Sequence, residues 1–143
     1  MTRRQITVVT ELLPTLPRMM ADPILIEQVV ANLIKNACDA VSAQPEPRRV
    51  HVQTKASSDG RFVKVSVTDN GPGLKGQTIE ALCAPFYSTK AEGMGMGLAI
   101  CRSIIELHYG VLDAGDSPEG GTAFSFSVPC ERVDERVESE GMT

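Results

Sequence analysis

The clearest hydrophobic pattern in the chain follows an Asp-Pro pair in its first quarter. Asp22 and Pro23 are typical of a helix start, because aspartate caps free backbone N–H groups and proline fits the first helical position. Pro45 and Pro47 follow, so the helix is predicted to end near Ala43. Apolar side chains recur at helical spacing along it: Ile26, Val29, Val30, Leu33, Ala37 and Val41. One face of this helix is therefore predicted to enter the core.

Alternation of apolar and polar positions predicts the strands. Residues 50–54 and 63–67 alternate around valines, and the turn-forming residues 57–60 lie between them, which predicts an antiparallel hairpin. Weaker alternation predicts a strand over 6–13. Two further strands are predicted over 111–116 and 122–128, on either side of a glycine-rich turn.

The second half also contains helical and aperiodic segments. A short helix is predicted over 78–82, and a mobile loop over 84–97, which has no period and three late glycines. A second long helix is predicted from Gly97 to Tyr109, with Gly110 as the residue after its end. Residues 130–143 are charged and lack bulky side chains, so they are predicted to be a disordered tail after a domain over 1–129.

These elements predict a two-layer α/β (α+β) sandwich with helices on one face of a sheet. The 143 residues, 42% of them hydrophobic and 22% charged, suit one soluble domain. The net charge of −4 and the lack of a basic run argue against nucleic acid as a partner. No apolar stretch is long enough for a membrane span, so no membrane contact by this chain is expected. The four cysteines form no CxxC pair, which favours buried thiols and a cytoplasmic location.

Two asparagines on the first helix are candidate ligand-binding residues. Asn32 and Asn36 lie four residues apart and so on one face, and Gln28 and Asp39 fall on the same stripe. Asparagine is a poor helix former, so two of them in a helix interior need a reason. One interpretation is a solvated polar face. The other is a row of oxygen donors for a hard cation such as Mg²⁺.

A second candidate is Asp69, which ends a predicted strand and precedes Asn70, Gly71, Pro72 and Gly73. An ordinary turn is one interpretation, although no strand follows to pair with the one before. The other is that the carboxylate accepts a hydrogen bond from a ligand amino group such as that of adenine. The two glycines would then let the backbone lie close to the base.

Glycines 93, 95 and 97 open the second long helix, where free N–H groups and the helix dipole favour an anion. Their spacing is neither the Rossmann nor the P-loop pattern, and a flexible hinge is the alternative interpretation. Ser88, Thr89 and Lys90 add hydroxyls and a cation suited to phosphate. The segment 120–122 (Gly-Gly-Thr), taken alone, favours a hairpin turn.

The order of these motifs resembles the catalytic ATP-binding domain of sensor histidine kinases, within the ATPase superfamily shared with type II topoisomerases, mismatch-repair proteins and the heat-shock chaperone. Residues 32–37 match the N box, 69–74 the first glycine box, 84–90 the F box and 93–100 the second glycine box. The Gly-Gly-Thr segment matches the last box. The resemblance covers about residues 6–129. In detail, the sequence is similar to the nitrogen-regulation and oxygen-sensor subgroup.

The resemblance implies a Bergerat fold, a mixed sheet of about five strands with three helices on one face, and ATP and Mg²⁺ as ligands. It implies that Asp69 binds the adenine amino group. Around the adenine end it places Ala40, Gly71, Gly73, Leu74 and Thr122. It makes Asn36 the Mg²⁺ ligand and gives Asn32 and Lys90 catalytic roles. Around the phosphates it places Asn32, Lys90, Gly93, Gly95, Met96, Gly97 and Leu98.

The resemblance also implies what the chain acts on. The only two histidines, His51 and His108, lack the pattern of a phosphate acceptor. The γ-phosphoryl group of ATP would therefore go to a histidine on a separate dimerisation domain of the same bacterial parent protein, with a response regulator downstream. Any membrane anchor of the parent would lie outside this chain.

Two departures from the family pattern leave alternatives open. Asp39 stands where many relatives carry Lys or Arg, and Tyr109 stands where glycine is usual, with little effect expected from the latter. A stand-alone regulator, such as an anti-sigma-factor serine kinase, would have the same fold, but the F box and second helix resemble sensor kinases. A non-catalytic ATP-binding domain is the third alternative, which the intact boxes disfavour.

Overall fold

The computed structural model describes residues 6–12, 21–42, 44–45, 47–83, 94–118 and 120–130. Its elements, in chain order, are β1 (Thr7–Glu11), α1 (Pro23–Ser42), β2 (Arg49–Ala56), β3 (Phe62–Asp69), α2 (Ile79–Leu82), α3 (Met94–Leu107), β4 (Val111–Asp116) and β5 (Thr122–Pro129). The predicted strands are confirmed, with ends that differ by up to two residues.

The five strands form one mixed sheet in the order β1-β2-β3-β5-β4. β1 runs parallel to β2, and all other neighbours are antiparallel. Val52 pairs with Val67 in the β2–β3 hairpin, which confirms the predicted pairing of these segments. The connection from β3 to β5 contains α2, α3 and β4. Because β3 and β5 pair antiparallel, the end of β3 lies beside the start of β5, where Thr68 pairs with Ala123.

One face of the sheet is buried against the helices. Alternate residues of β2, β3 and β5 have little or no exposed surface, among them Val50, Val63, Val67, Phe126 and Val128. The opposite face of the same strands carries mainly polar side chains. The buried positions of α1 are Ile26, Val29, Leu33, Ala37 and Val41, the stripe that its periodicity predicts. The two-layer α/β fold is therefore confirmed.

The two long helices pack against each other, and hydrogen bonds at their termini cap α1 and join it to α3. Asp22 caps α1, because its Oδ1 accepts the N–H groups of Ile24 at 2.9 Å and Leu25 at 3.3 Å. α1 ends at Ser42, one residue before the predicted end. The Nε2 atom of His108, at the far end of α3, accepts the N–H of Asp22 at 3.1 Å and joins the two helices.

The C-terminus of α3 differs from the prediction. Tyr109, not Gly110, takes the left-handed conformation after the helix, with φ of +63°. The Gly110 N–H donates to the Ile105 carbonyl at 2.9 Å, and the Tyr109 N–H donates to the Glu106 carbonyl at 3.0 Å, as in a Schellman motif. Left-handed backbone costs a residue with a Cβ about 1–2 kcal/mol, so Tyr109 lowers stability here compared with glycine. Gly110 is needed for another reason, since a Cβ there would lie 2.1 Å from the Ser127 carbonyl oxygen.

The N-terminus of α3 also differs. The helix begins at Met94, three residues earlier than predicted, so part of the glycine segment is its first turn. The rest of the predicted loop, 84–93, lies outside the described residues. Short α2 is capped by Thr78, whose Oγ1 accepts the Ala81 N–H at 3.2 Å. An ion pair of 3.7 Å between Glu80 and Arg102 links α2 to α3.

The last described residue is Cys130, one residue beyond the expected domain boundary. Cys130 is buried, and its N–H donates to the Arg61 carbonyl at 2.7 Å. Residues 131–143, the remainder of the expected tail, lie outside the described part of the chain. Within the described ranges, no helix combines the length and the apolar character needed to cross a bilayer.

Candidate functional site

Two polar side chains occupy positions where the core pattern calls for apolar ones. Asp69 continues the buried series of β3, in phase with Val65 and Val67, and Thr122 begins the buried series of β5. They are 3% and 6% exposed, and they are the buried polar residues in the described part of the chain. A buried carboxylate is costly unless it is hydrogen-bonded. Asp69 is therefore the residue whose surroundings need an explanation.

Backbone N–H groups from two elements stabilise the Asp69 carboxylate. Its Oδ1 accepts the N–H of Gly71 at 2.8 Å and the N–H of Thr122 at 3.2 Å. Burial raises the pKa of Asp69, and these two hydrogen bonds oppose the shift without cancelling it. Both bonds fall on the same oxygen, so Oδ2 is the atom that can accept a donor from a ligand.

Close backbone contacts around Asp69 require two of the predicted glycines. A Cβ at Gly71 would lie 3.0 Å from the Ala40 carbonyl oxygen of α1. A Cβ at Gly121 would lie 1.9 Å from the carbonyl oxygen of Asp69 itself, and Gly121 has φ of +92°. The structure thus brings together Ala40, Asp69, Gly71 and Thr122, which the sequence assigns to one end of the site.

Asp116 joins this group without having been predicted. Its Oδ1 accepts the N–H of Leu74 at 2.9 Å, and a Cβ at Gly73 would lie 3.2 Å from the same oxygen. Asp116 ends β4 and is exposed, so its sequence position suggests only the end of a strand. The Leu74 side chain is packed in the core.

Asn32 marks the other end of the site. Its Nδ2 donates to the Gln28 carbonyl one turn earlier at 3.1 Å, and its Oδ1 lies 3.6 Å from the position of a Cβ at Gly97. Burial raises the pKa of the Cys101 thiol to about 11, with Cys83 adding to the shift and a hydrogen bond with the Asn32 side chain opposing it. The amide of Asn32 is thus held between α1 and α3 beside the first turn of α3.

Helix α1 sets the distance between the two ends. Asn32 lies near Gly97, and Ala40 lies near Gly71. Eight residues of α-helix separate Asn32 from Ala40, a distance of about 12 Å. Asn36 is half-buried between them, one turn from each and on the same face. The site is therefore elongated along α1.

Other predicted site residues are placed less completely. Lys90 and Gly93 lie outside the described residues. Gly95 and Met96 belong to the first turn of α3, where backbone N–H groups lack partners within the helix. Leu98 is buried in the core, with 5% of its surface exposed.

The chain has extensive similarity to known proteins. Residues 21–132 match the family model described as histidine kinase-, DNA gyrase B- and HSP90-like ATPase. The chain belongs to this family. Its ATP-binding domain is of the sensor histidine kinase type, as the relatives below indicate.

Three matches, to two relatives, define the similarity more closely. The C4-dicarboxylate transport sensor protein DctS of Rhodobacter capsulatus is 44% identical over 114 residues, which cover 80% of this chain and 17% of DctS. The catalytic domain of histidine kinase ThkA superposes with a TM-score of 0.75 at 32% identity, covering 87% of this chain and 79% of that domain. ThkA in complex with the response regulator TrrA gives a TM-score of 0.72 at 31% identity, covering 88% of this chain and 34% of that chain. This chain thus corresponds to a small part of DctS.

The contact between Gly121 and Asp69 predicts a large effect of Gly121→Ala on stability. The added Cβ would collide with the Asp69 backbone, and such overpacking costs about 3 kcal/mol or more when backbone must move. The matched control is Gly120→Ala, because Gly120 has φ of +91° but nothing within 4 Å of its Cβ position. Urea unfolding should show the excess loss for Gly121→Ala over Gly120→Ala. Equal losses would mean that the two backbones are not in contact.

Proposed function

We propose that this domain binds Mg-ATP and donates the γ-phosphoryl group to a histidine on a separate dimerisation domain of its parent protein. The observation that carries the proposal is the buried Asp69 carboxylate, with one oxygen held by two backbone N–H groups and the other available to a ligand. A carboxylate oxygen accepts from the 6-amino group of adenine, whereas the 6-oxo group of guanine offers it no donor. Asp69 would therefore select adenine and take no part in phosphoryl transfer.

The other end of the site suits the phosphates. The first turn of α3, at Met94–Gly97, presents free backbone N–H groups and the positive end of the helix dipole. Asn32 directs its amide oxygen toward this turn, because its Nδ2 is engaged by the Gln28 carbonyl. The separation of about 12 Å along α1 suits an extended nucleotide with adenine at Asp69 and phosphates at Gly97. Lys90 is proposed to add a cation there.

The amide oxygens of α1 fit a hard cation. Mg²⁺ prefers oxygen donors at octahedral geometry and keeps several waters, so one or two amide oxygens are enough on the protein side. Asn36 is the proposed ligand, with Asn32 beside it on the same face. When bound, Mg²⁺ would neutralise charge developing on the β- and γ-phosphates. With Asp39 in place of a basic residue, the chain supplies less positive charge of its own at this position.

Both histidines of the chain are already engaged in structural contacts. His108 has Nδ1 2.7 Å from the Ile104 carbonyl and Nε2 accepting the Asp22 N–H, so its ring bridges the ends of two helices. The Nε2 of His51 lies 2.5 Å from the Glu11 carboxylate on the neighbouring strand. These contacts use both ring nitrogens of His108 and the Nε2 of His51. This supports an acceptor histidine on another domain, with a response regulator as the proposed final recipient, as the ThkA–TrrA complex suggests.

The adenine assignment predicts that Asp69→Asn weakens ATP binding by about a hundredfold, since it replaces an acceptor by a donor and leaves two donors facing each other. The variant keeps a carbonyl oxygen for the Gly71 and Thr122 N–H groups, so the fold should survive. Titration calorimetry with ATP and GTP measures the effect, and the preference for ATP should narrow in the variant. Equal ATP affinity of the two proteins, with both folded by circular dichroism, would exclude adenine recognition by Asp69.

The raised pKa of Asp69 predicts a pH dependence of binding. Because the shift is upward from 3.8, the folded protein takes up this proton at a higher pH than an ordinary aspartate does. Protonated Oδ2 donates instead of accepting, so ATP affinity should fall as the pH drops through the raised pKa. The same shift means that ionised Asp69 lowers the free energy of unfolding at pH values above its raised pKa. Below 3.8 this cost is absent, because folded and unfolded chains are both protonated.

The measurement is the ratio of wild-type to Asp69→Asn affinity for ATP between pH 4 and pH 8, on the order of one titration per half unit. Taking the ratio cancels the ionisation of the nucleotide itself. The ratio should shrink toward acid pH. A constant ratio over the range in which both proteins stay folded would contradict the pH prediction.

The cation assignment predicts that Asn36→Ala abolishes phosphoryl transfer to the dimerisation domain supplied in trans. ATP affinity in the presence of EDTA should change little, because the adenine contacts remain, while the gain in affinity on adding Mg²⁺ should be lost. The control is Glu27→Ala, which removes an exposed polar side chain from the same helix. Radiolabelled ATP reports the transfer. Normal transfer by Asn36→Ala would rule out Asn36 as the Mg²⁺ ligand.

A further inference from the structure

Asp116 contacts residues 71–74, the glycine turn that follows β3, from a distant part of the chain. It stands 42 residues after Leu74, whose N–H its Oδ1 accepts at 2.9 Å. Its partner in the sheet, Thr122, is the residue whose N–H binds Asp69. The proposed function assigns no role to Asp116.

The backbone of the turn is shaped to receive this carboxylate. Gly73 has φ of +86°, a conformation that favours glycine, and a side chain there would meet Asp116 Oδ1 at 3.2 Å and the Gly121 carbonyl at 3.5 Å. The Asp116 oxygen therefore lies beside a residue without a side chain and bonds the N–H of the next residue.

The turn is consequently held at both ends by carboxylates. At its start, Gly71 N–H donates to Asp69, and at its end, Leu74 N–H donates to Asp116. The turn between β4 and β5 is closed by the Ser117 N–H, which donates to the Gly121 carbonyl at 2.9 Å. Asp116 thus ties the glycine turn to the same β4–β5 corner that supplies the second N–H to Asp69.

We propose that Asp116 is a positioning residue for nucleotide binding, which fixes the 71–74 backbone in the conformation that receives the adenine. The proposal rests on the proposed function, and it adds a residue that acts through Leu74 rather than by touching the nucleotide. What it requires of residue 116 is a hydrogen-bond acceptor, not a charge. The conservative replacement Asp116→Asn keeps an acceptor oxygen, whereas Asp116→Ala does not.

The experiment compares ATP titrations and amide hydrogen exchange for the wild type, Asp116→Ala, Asp116→Asn and Asp113→Ala. Asp113 is an exposed carboxylate on the same strand that bonds only the neighbouring Ala114 N–H among the described contacts. Asp116→Ala should bind ATP about three- to tenfold more weakly, as expected for the loss of one hydrogen bond, and its Leu74 amide should exchange faster. Asp116→Asn should bind within about twofold of the wild type, and Asp113→Ala should match the wild type.

The outcomes distinguish failure of the positioning role from failure of the proposed function. If the wild type does not bind ATP, the proposed function fails, while the exchange rate of the Leu74 amide still tests the Asp116 contact. If the wild type binds ATP and Asp116→Ala binds it equally well, only the positioning role fails. Equal weakening by the Ala and Asn variants would also overturn it, since charge would then matter rather than the acceptor. Phosphoryl transfer at saturating ATP should be nearly normal in Asp116→Ala, because the effect lies in affinity.

Discussion

One end of the candidate site depends on one shared oxygen, Oδ1 of Asp69. It accepts one N–H from the turn that follows β3 and one from the first residue of β5. These two bonds satisfy one side of a carboxylate that is 3% exposed and whose pKa burial raises. Without them a charge at this depth would be strongly destabilising. With them, the carboxylate is held in one orientation, and its second oxygen is the one proposed to accept from a ligand.

Glycine is required around this oxygen because three backbone segments converge on it. The turn at Gly71 approaches the carbonyl of Ala40 in α1, and the corner at Gly121 approaches the carbonyl of Asp69. A larger residue at either place would separate the segments whose N–H groups bind the carboxylate. The apolar alternation that builds the core and the glycines that build the site are thus parts of one arrangement, since Asp69 and Thr122 occupy core-facing positions at the ends of their strands.

Much of this arrangement was predictable from local sequence, because its signals act over a few residues. The Asp22 cap, the stripe from Ile26 to Val41 and the β2–β3 hairpin each follow from spacing within one or two elements. The start of α3 was not, because the low helix propensity of glycine argues against a helix through Gly95 and Gly97. The left-handed conformation of Tyr109 and the hydrogen bond between Asp116 and Leu74 were not predictable from local sequence either. Nothing local distinguishes a strand-end aspartate that bonds a residue 42 positions away.

The two ends of the site differ in how they are built, and this difference bears on mechanism. The Asp69 end, proposed to bind adenine, is assembled from strand termini and a turn that hydrogen bonds hold on both sides. The other end, proposed to bind the phosphates, consists of the first turn of α3 and the Asn32 amide, which contacts both long helices. If the Asp69 end binds adenine as proposed, the binding free energy of the base would position the triphosphate, because little ordering is required at that end. Under the proposed function, phosphoryl transfer to a histidine on another domain would gain from this division, because the nucleotide would already be held in place when that histidine approaches.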